Sequence, residues 1–582
     1  MIILCLALLT SCNKVDFGKL ETGKPYIGLY RGQDCVVVID QAVGGNVRGR
    51  IYLDEGNLFA SPVAFTSDLK KDGRGRLWIN NEERNLKEII VEKGSVEGEM
   101  DDTSFSLNVF QQPELHFKAQ YMEPCHEVEM ETNRIYAKDV EGLWSSYPDT
   151  DESFGTIYMN RAKRLTSPEK LNLDLDLYYP KELSEDERRP LLMLIHGGAF
   201  YNGDKQDLGF PEMGRYFAER GYVVASVNYR LGFKPLSADV DRAGYRALQD
   251  VHAAVCHLVD HADELGIDTT KIFAAGVSAG AVTALNLAFM RDENRPETTK
   301  NGGVAGFLSS FVPTVFHVIN WGAGLLGIDW DLEGEGLCKD LDLDSDLGPI
   351  NALSDSLSHP FHIKAVVNMW GAVQTPELLQ NSRETDILSF HGDADRIVPY
   401  AYGYPFDHVL ESSVENILDS LPDLVQPLAK MGRRWLANGK PFNEWAFNPM
   451  YGSSQIHDKA LSLGMHSELH TVEGGPHSLH MDENRQLSVY FTDTIMPVMT
   501  RFLCEEMVGG KMVHLTQSGP WAEALDTDNV AELHWQVEGG VILSSQGDCK
   551  AKVLLFDDAR RHIIMAGGKY KNGVEFRVMC PR

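Results

Sequence analysis

Ser278 stands in the pentapeptide Gly276-Val-Ser-Ala-Gly280, between the short apolar run Ile272–Ala275 and a helix-like stretch that starts at Ala281. In that setting a G-x-S-x-G sequence makes a tight turn that lifts the serine hydroxyl off the end of a strand. Side chains in place of the two glycines would clash with the neighbouring strand or helix. A hydroxyl presented this way can attack an ester carbonyl if the chain also supplies a base for its proton, an acid to orient that base, and donors for the oxyanion.

All three are present, in a workable order. His196-Gly197-Gly198-Ala199-Phe200 follows the apolar run Leu191–Ile195, and its glycines free backbone N–H groups to point at a carbonyl oxygen. Gly197 and Gly198 are the expected oxyanion donors, with the N–H of Ala279, just after the serine, as their partner. The acid is expected in His391-Gly-Asp-Ala-Asp395-Arg-Ile-Val-Pro399, where Asp395 and its rival Asp393 lie two residues apart. The base is expected at His477 in Glu473-Gly-Gly-Pro-His477, after the run Ser467–Val472. His480, His466 and His470 lie nearby, and position after the last strand is what selects His477.

These groups need a scaffold, and the pattern from Leu171 onward provides one. Strand-like runs fall at Leu171–Tyr179, Leu191–His196, Tyr222–Tyr229, Ile272–Gly276, Ile363–Trp370, Asp386–His391 and Ser467–Val472. Amphipathic stretches lie between several of them, such as Gly244–Leu265 with Leu248, Val251, Ala254, Val255 and Leu258 on one face. Alternating strands and helices predict an α/β architecture: a mostly parallel sheet covered on both faces.

With these motifs in the order Ser, Asp, His, residues 141–505 resemble the α/β-hydrolases of the carboxylesterase and lipase type. Val227-Asn-Tyr-Arg-Leu-Gly232 and Ala247-Leu-Gln-Asp250 match that family's scaffold, with Arg230 and Asp250 read as structural. His391–Pro399 resembles the family's H-G-x-x-D-x-x-V-P acid loop, which implies Asp395 over Asp393. Ala199 replaces the last glycine of the usual H-G-G-G, Val277 precedes the serine where other members have Glu, and the acid is Asp rather than Glu. The last two features resemble bacterial esterases. The resemblance implies a serine esterase working through an acyl-enzyme, with no metal or cofactor, on acyl or feruloyl groups of polysaccharides or on small acyl esters. A prolyl-type peptidase would use the same triad, but about 140 preceding residues are too few for the propeller such enzymes carry. A ligand-binding surface lipoprotein with a dead site would have no need of every catalytic part.

The rest of the chain divides around this segment. Residues 12–140 read as a small all-β module, with strand-like runs at Asp34–Asp40, Gly49–Leu53, Gly75–Ile79 and Ser104–Phe110. Residues 506–582 read as a second β module and resemble the immunoglobulin-like domains appended to secreted bacterial enzymes. Residues 1–11 form a short apolar run, and Leu9-Thr-Ser-Cys12 resembles a lipoprotein box, although no Lys or Arg precedes it. The resemblance implies an exported protein held on a membrane by a lipid on Cys12, in the periplasm or at the cell surface. Cys35 with Cys125, and Cys549 with Cys580, are candidate disulfides in such a compartment.

The formal charge of −30 argues against a nucleic-acid partner, because phosphates would be repelled. Insertions over the active site are expected near 291–360 and 401–462. The first contains Val304–Ile328, nearly free of charge, which reads equally as a lid or acyl-pocket wall and as buried core. Asp340–Asp346 alternates carboxylates like a calcium loop, but it lacks the glycine and the bidentate Glu and reads as a solvated turn.

Overall fold

The expected strand runs condense into one sheet, whose innermost strands are apolar enough to be buried on both faces. The computed structural model describes residues 28–31, 35–43, 46–53, 63–69, 75–79, 86–92, 95–100, 103–110, 114–147, 168–181, 187–233, 237–300, 346–354, 360–407, 447–543, 547–556 and 561–581. Cys12 with its apolar run, Val304–Ile328 and residues 340–345 lie outside them. The described residues cluster into two units, Gln120–Met507 and a second made of Met1–Ala119 with Val508–Arg582.

The larger unit is built on eight strands: β1 (Val128–Gly142), β2 (Glu169–Pro180), β3 (Arg189–Ile195), β4 (Val223–Val227), β5 (Ile267–Val277), β6 (Ile363–Met369), β7 (Asp386–Gly392) and β8 (Ser467–Val472). Their order across the sheet is β8-β7-β6-β5-β3-β4-β2-β1. Strands β3 to β8 run parallel, and β2 is antiparallel to both β4 and β1. This is an α/β-hydrolase sheet. Every residue of β3 and β4 is buried, as strands covered on both faces must be.

Helices α1 (Phe210–Ala218), α2 (Ser237–Asp260), α3 (Ala279–Phe289), α4 (Ser453–Ser462) and α5 (Met496–Val508) flank the sheet. On α2, Leu248, Val251, Ala254, Val255 and Leu258 all enter the main core, as their spacing predicts. On α1, Gly214 faces the Tyr178 ring so closely that a Cβ would lie 2.6 Å from it.

The unit begins earlier than residue 141. Strand β1 is its edge, paired along β2, so residues 128–140 belong to this sheet and not to the N-terminal module. The pairing shifts register at three places, each with an extra residue on β1, and Asn133 and Asp139 have positive φ.

In the second unit, the N-terminal part is an eight-stranded antiparallel sheet with Gly28–Arg31 near its middle. The C-terminal part has a four-stranded sheet (His514–Ser518, Trp521–Leu525, Lys550–Leu555, Gly540–Ile542) and a three-stranded one (Val530–Glu538, Ile563–Tyr570, Glu575–Met579). The two parts share a core: Val36 and Tyr52 pack with Val541 and Leu554. The Tyr52 and Phe556 rings lie 5.7 Å apart.

The expected Cys549–Cys580 pair is not formed. Cys549 and Cys580 are both free thiols. Cys549 leads into the four-stranded sheet beside Thr527, whereas Cys580 ends the three-stranded one. Cys35 and Cys125 fall in different units.

Candidate active site

The carboxyl ends of β3, β5, β6, β7 and β8 share one edge of the sheet, and the candidate residues sit just beyond them. Ser278 links β5 to α3 with φ 55° and ψ −118°, a conformation that costs energy in any residue but glycine. Close packing enforces that turn. A Cβ on Gly276 would lie 2.1 Å from the Gly280 carbonyl oxygen, and one on Gly280 would lie 2.0 Å from that of Ile195. The Ser278 N–H donates to the Met369 carbonyl at 2.9 Å, tying the turn to β6.

Ser278 Oγ is 3.0 Å from His477 Nε2, and His477 Nδ1 is 2.6 Å from Asp395 Oδ2. Facing a carboxylate, Nδ1 carries the proton, which leaves Nε2 free to accept from the serine hydroxyl. Asp395 has a fully buried side chain. Its Oδ1 accepts from the Ile397 and Val398 N–H groups at 2.7 and 3.0 Å. Its Oδ2 also meets His391 Nε2 at 3.2 Å. Burial pushes the carboxyl up, but the hydrogen bonds from His391 and His477 outweigh it and hold the group well below the usual carboxylate range. The rival Asp393 is exposed and accepts only from the Gly474 N–H among its described contacts.

A buried relay supports Asp395. Asn368 Nδ2 donates to Ser453 Oγ at 2.9 Å, and the Ser453 hydroxyl lies 2.7 Å from His391 Nδ1. His391 in turn reaches Asp395. Neither Asn368 nor Ser453 stands out in the sequence, since each joins the site from a distant element.

The candidate oxyanion loop, His196–Phe200, is equally constrained. Gly198 has φ +97°, and a Cβ there would sit 1.9 Å from the Asn202 carbonyl oxygen. Ala199 and Phe200 also take positive φ, 54° and 59°, so the loop keeps its glycine-like course without the third glycine. A Cβ on Gly197 would be 3.3 Å from that of Ser278, which puts this residue directly against the elbow. The Ala279 N–H opens α3, where first-turn donors have no partner within the helix. His196 stacks on Tyr229 at 4.3 Å, and the Tyr229 hydroxyl donates to the His196 carbonyl. Burial pushes the His196 imidazole down to about 4 and keeps it neutral.

Trp370, just after β6, was not singled out by sequence pattern. Its buried ring stands edge-on to His477 at 6.3 Å and stacks on His480 at 5.4 Å. Burial, aided by the charge of His477, pushes His480 down to about 4. His480 therefore stays neutral and does not compete with His477 for a proton. His466 and His470 belong to another neighbourhood. His466 Nδ1 pairs with Asp386 Oδ2 at 2.9 Å, at the start of β7 and so at the opposite edge of the sheet. Asp386, His466 and Glu506 form a cluster of possible metal donors, into which Lys364 already places an ammonium 3.0 Å from Glu506. Asp346, the described end of the acidic run, pairs with Arg295.

Residues 175–410 match the BD-FAE family. Gut esterase 1 of Caenorhabditis elegans is 31% identical over 165 residues, covering 27% of this chain and 28% of that protein. Esterase LipI of Mycobacterium tuberculosis is 29% identical over 113 residues, covering 19% of this chain and 32% of that protein. Among solved structures, a truncated carbohydrate esterase from gut microbiota is 16% identical with a TM-score of 0.33, over 67% of this chain and 99% of that one. The propionate-bound esterase 2 of Thermogutta terrifontis is also 16% identical, with a TM-score of 0.32 over 58% and 90%. The chain spans under a third of the length of the curated relatives named here. The BD-FAE match falls on the stretch that carries β3 to β7, Ser278 and Asp395.

Proposed function

We propose that this chain is a serine carboxylic ester hydrolase whose nucleophile, base and acid are Ser278, His477 and Asp395. The observation that carries the reading is the continuous hydrogen-bond chain from Ser278 Oγ through His477 to a buried, ionised Asp395. The likeness to esterases over part of the chain supports the same class of reaction.

Ser278 Oγ attacks the ester carbonyl carbon while its proton passes to His477 Nε2. The N–H groups of Gly197, Gly198 and Ala279 hold the oxyanion, and each such donor is worth roughly 2.7–4 kcal/mol in the transition state. Collapse of the intermediate expels the alcohol, which takes the proton from His477. Water then gives a proton to His477 and attacks the acyl carbon, and the carboxylic acid leaves as Ser278 regains its proton. Asp395 stays ionised throughout and stabilises the imidazolium. The substrate is a small acyl ester or an acyl or feruloyl group on a polysaccharide.

The test is hydrolysis of p-nitrophenyl acetate, butyrate and octanoate by the wild type and by Ser278→Ala. Turnover by the wild type and none by the variant is expected, and the chain-length preference would size the pocket. A folded wild type inert toward all three would overturn the simple esterase. We also propose that Cys12 carries a lipid anchor on an exported protein. Incorporation of labelled palmitate that Cys12→Ala abolishes is the expected result, and equal labelling of both would refute it.

A further inference from the structure

A cleft opens beside the candidate nucleophile along α3. Its walls include Val282 and Asn286 of α3, Phe200 of the oxyanion loop, and Phe447. The Val282 N–H donates to the Ser278 carbonyl, so the cleft starts one helical turn from the nucleophile. Mostly apolar, it nonetheless holds the carboxylate of Asp241 from α2. That carboxylate accepts from Gln374 Nε2 at 3.3 Å, Asn448 Nδ2 at 2.9 Å and Thr298 Oγ1 at 3.3 Å, all uncharged groups. Burial pushes Asp241 up to about 6 despite these donors.

The direction of these bonds matters. With their amide nitrogens committed to Asp241, Gln374 and Asn448 keep their amide oxygens for other partners. Asn286, only 7% exposed, adds an Oδ1 with no partner among the described residues. A buried acceptor left unpaired is destabilising. A ligand that supplies donors would recover that cost. The cleft is therefore rich in acceptors, lined by aromatic and aliphatic carbon, and begins one helical turn from Ser278.

We propose that this cleft is a subsite for a hydroxyl-bearing ring of the ester substrate. In it Asn286, Gln374 and Asn448 accept hydrogen bonds from ring hydroxyls, and Asp241 holds the two amides in place. The proposal rests on the serine-hydrolase reading of Ser278.

The experiment compares two acetates of six-membered rings, a mono-O-acetyl methyl xyloside and cyclohexyl acetate, which differ chiefly in their hydroxyls. The wild type is expected to favour the xyloside ester by at least tenfold in kcat/KM. Asn286→Leu and Gln374→Met, both close in shape to the residues they replace, should each erase most of that preference through KM. A wild-type ratio near one, or an equal loss on both substrates in the variants, would overturn the subsite. Calorimetry on Ser278→Ala separates the two readings. If that protein binds the xyloside acetate at least tenfold more tightly than cyclohexyl acetate while the wild type cleaves neither, the subsite stands and the hydrolase reading falls. If the wild type cleaves both equally and Ser278→Ala binds neither preferentially, the hydrolase stands and the subsite falls.

Discussion

Replacing Asp395 with asparagine should disable the enzyme through a single proton on His477. The Asp395 carboxylate accepts from four donors: two backbone N–H groups at Oδ1 and two imidazoles at Oδ2. The backbone donors cannot turn, so an amide at this position must place its oxygen toward them. Its NH2 then faces His477 Nδ1 and His391 Nε2. His477 can meet that NH2 only by moving its proton to Nε2, where it blocks acceptance from Ser278. A wrong tautomer in such a triad costs about 10⁴ in kcat, or about 5.5 kcal/mol of barrier. Asp393→Asn keeps an acceptor for the Gly474 N–H at an exposed site and should change kcat less than threefold. Steady-state hydrolysis of p-nitrophenyl acetate, with active sites counted by the burst of p-nitrophenol, measures both. More than about a hundredth of wild-type kcat in Asp395→Asn, or an equal loss in Asp393→Asn, would refute the assignment. Stability carries a second signature. Because the folded carboxyl titrates below its unfolded value of about 3.9, its stabilisation is complete above that pH and lost as pH falls through the folded value. The stability gap between the wild type and Asp395→Asn should be flat at neutral pH and narrow below about pH 4.

Gly280→Ala would force a Cβ to 2.0 Å from the Ile195 carbonyl oxygen, with backbone on both sides, and should cost about 3 kcal/mol or more in urea unfolding. Gly474→Ala, with open space around it but φ +65°, should cost only about 1 kcal/mol by the same measurement. Asp250→Ala should cost about 3–5 kcal/mol, because it strands Arg230, whose backbone N–H and guanidinium both bond the buried Asp250 carboxylate. A loss below 1 kcal/mol there would show that water reaches the guanidinium.

What the sequence reveals of this fold follows from what each element must bury. Strands β3 and β4 are covered on both faces, so Pro190–Ile195 and Val223–Val227 read as nearly unbroken apolar runs. Strand β1 does not read that way. Val128–Gly142 is an edge with only Tyr136 and Val140 buried, and its charged residues and three register shifts erase any period of two. Ser278 and the glycine loop are legible because the tight turn and close approach demand particular residue types at fixed spacing. The choice of Asp395 over Asp393 comes from the resemblance to the family's acid loop and not from local pattern, since one loop residue decides which carboxylate turns inward. Trp370, Asn368, Ser453 and Asp241 meet the site only through tertiary packing, and nothing in their local sequence marks that meeting.

The shared core of Val36, Tyr52, Val541 and Leu554 sets an order of events during synthesis. The strands around Val36 and Tyr52 leave the ribosome well before Val541 and Leu554, the residues that complete their packing. The whole segment that carries Ser278, Asp395 and His477 emerges in between and can close its own sheet while the earlier strands wait. For that interval the apolar face around Val36 and Tyr52 has no native cover, which makes it a natural client surface for a chaperone. A chain halted near residue 507 would keep every candidate catalytic residue and still carry that uncovered face.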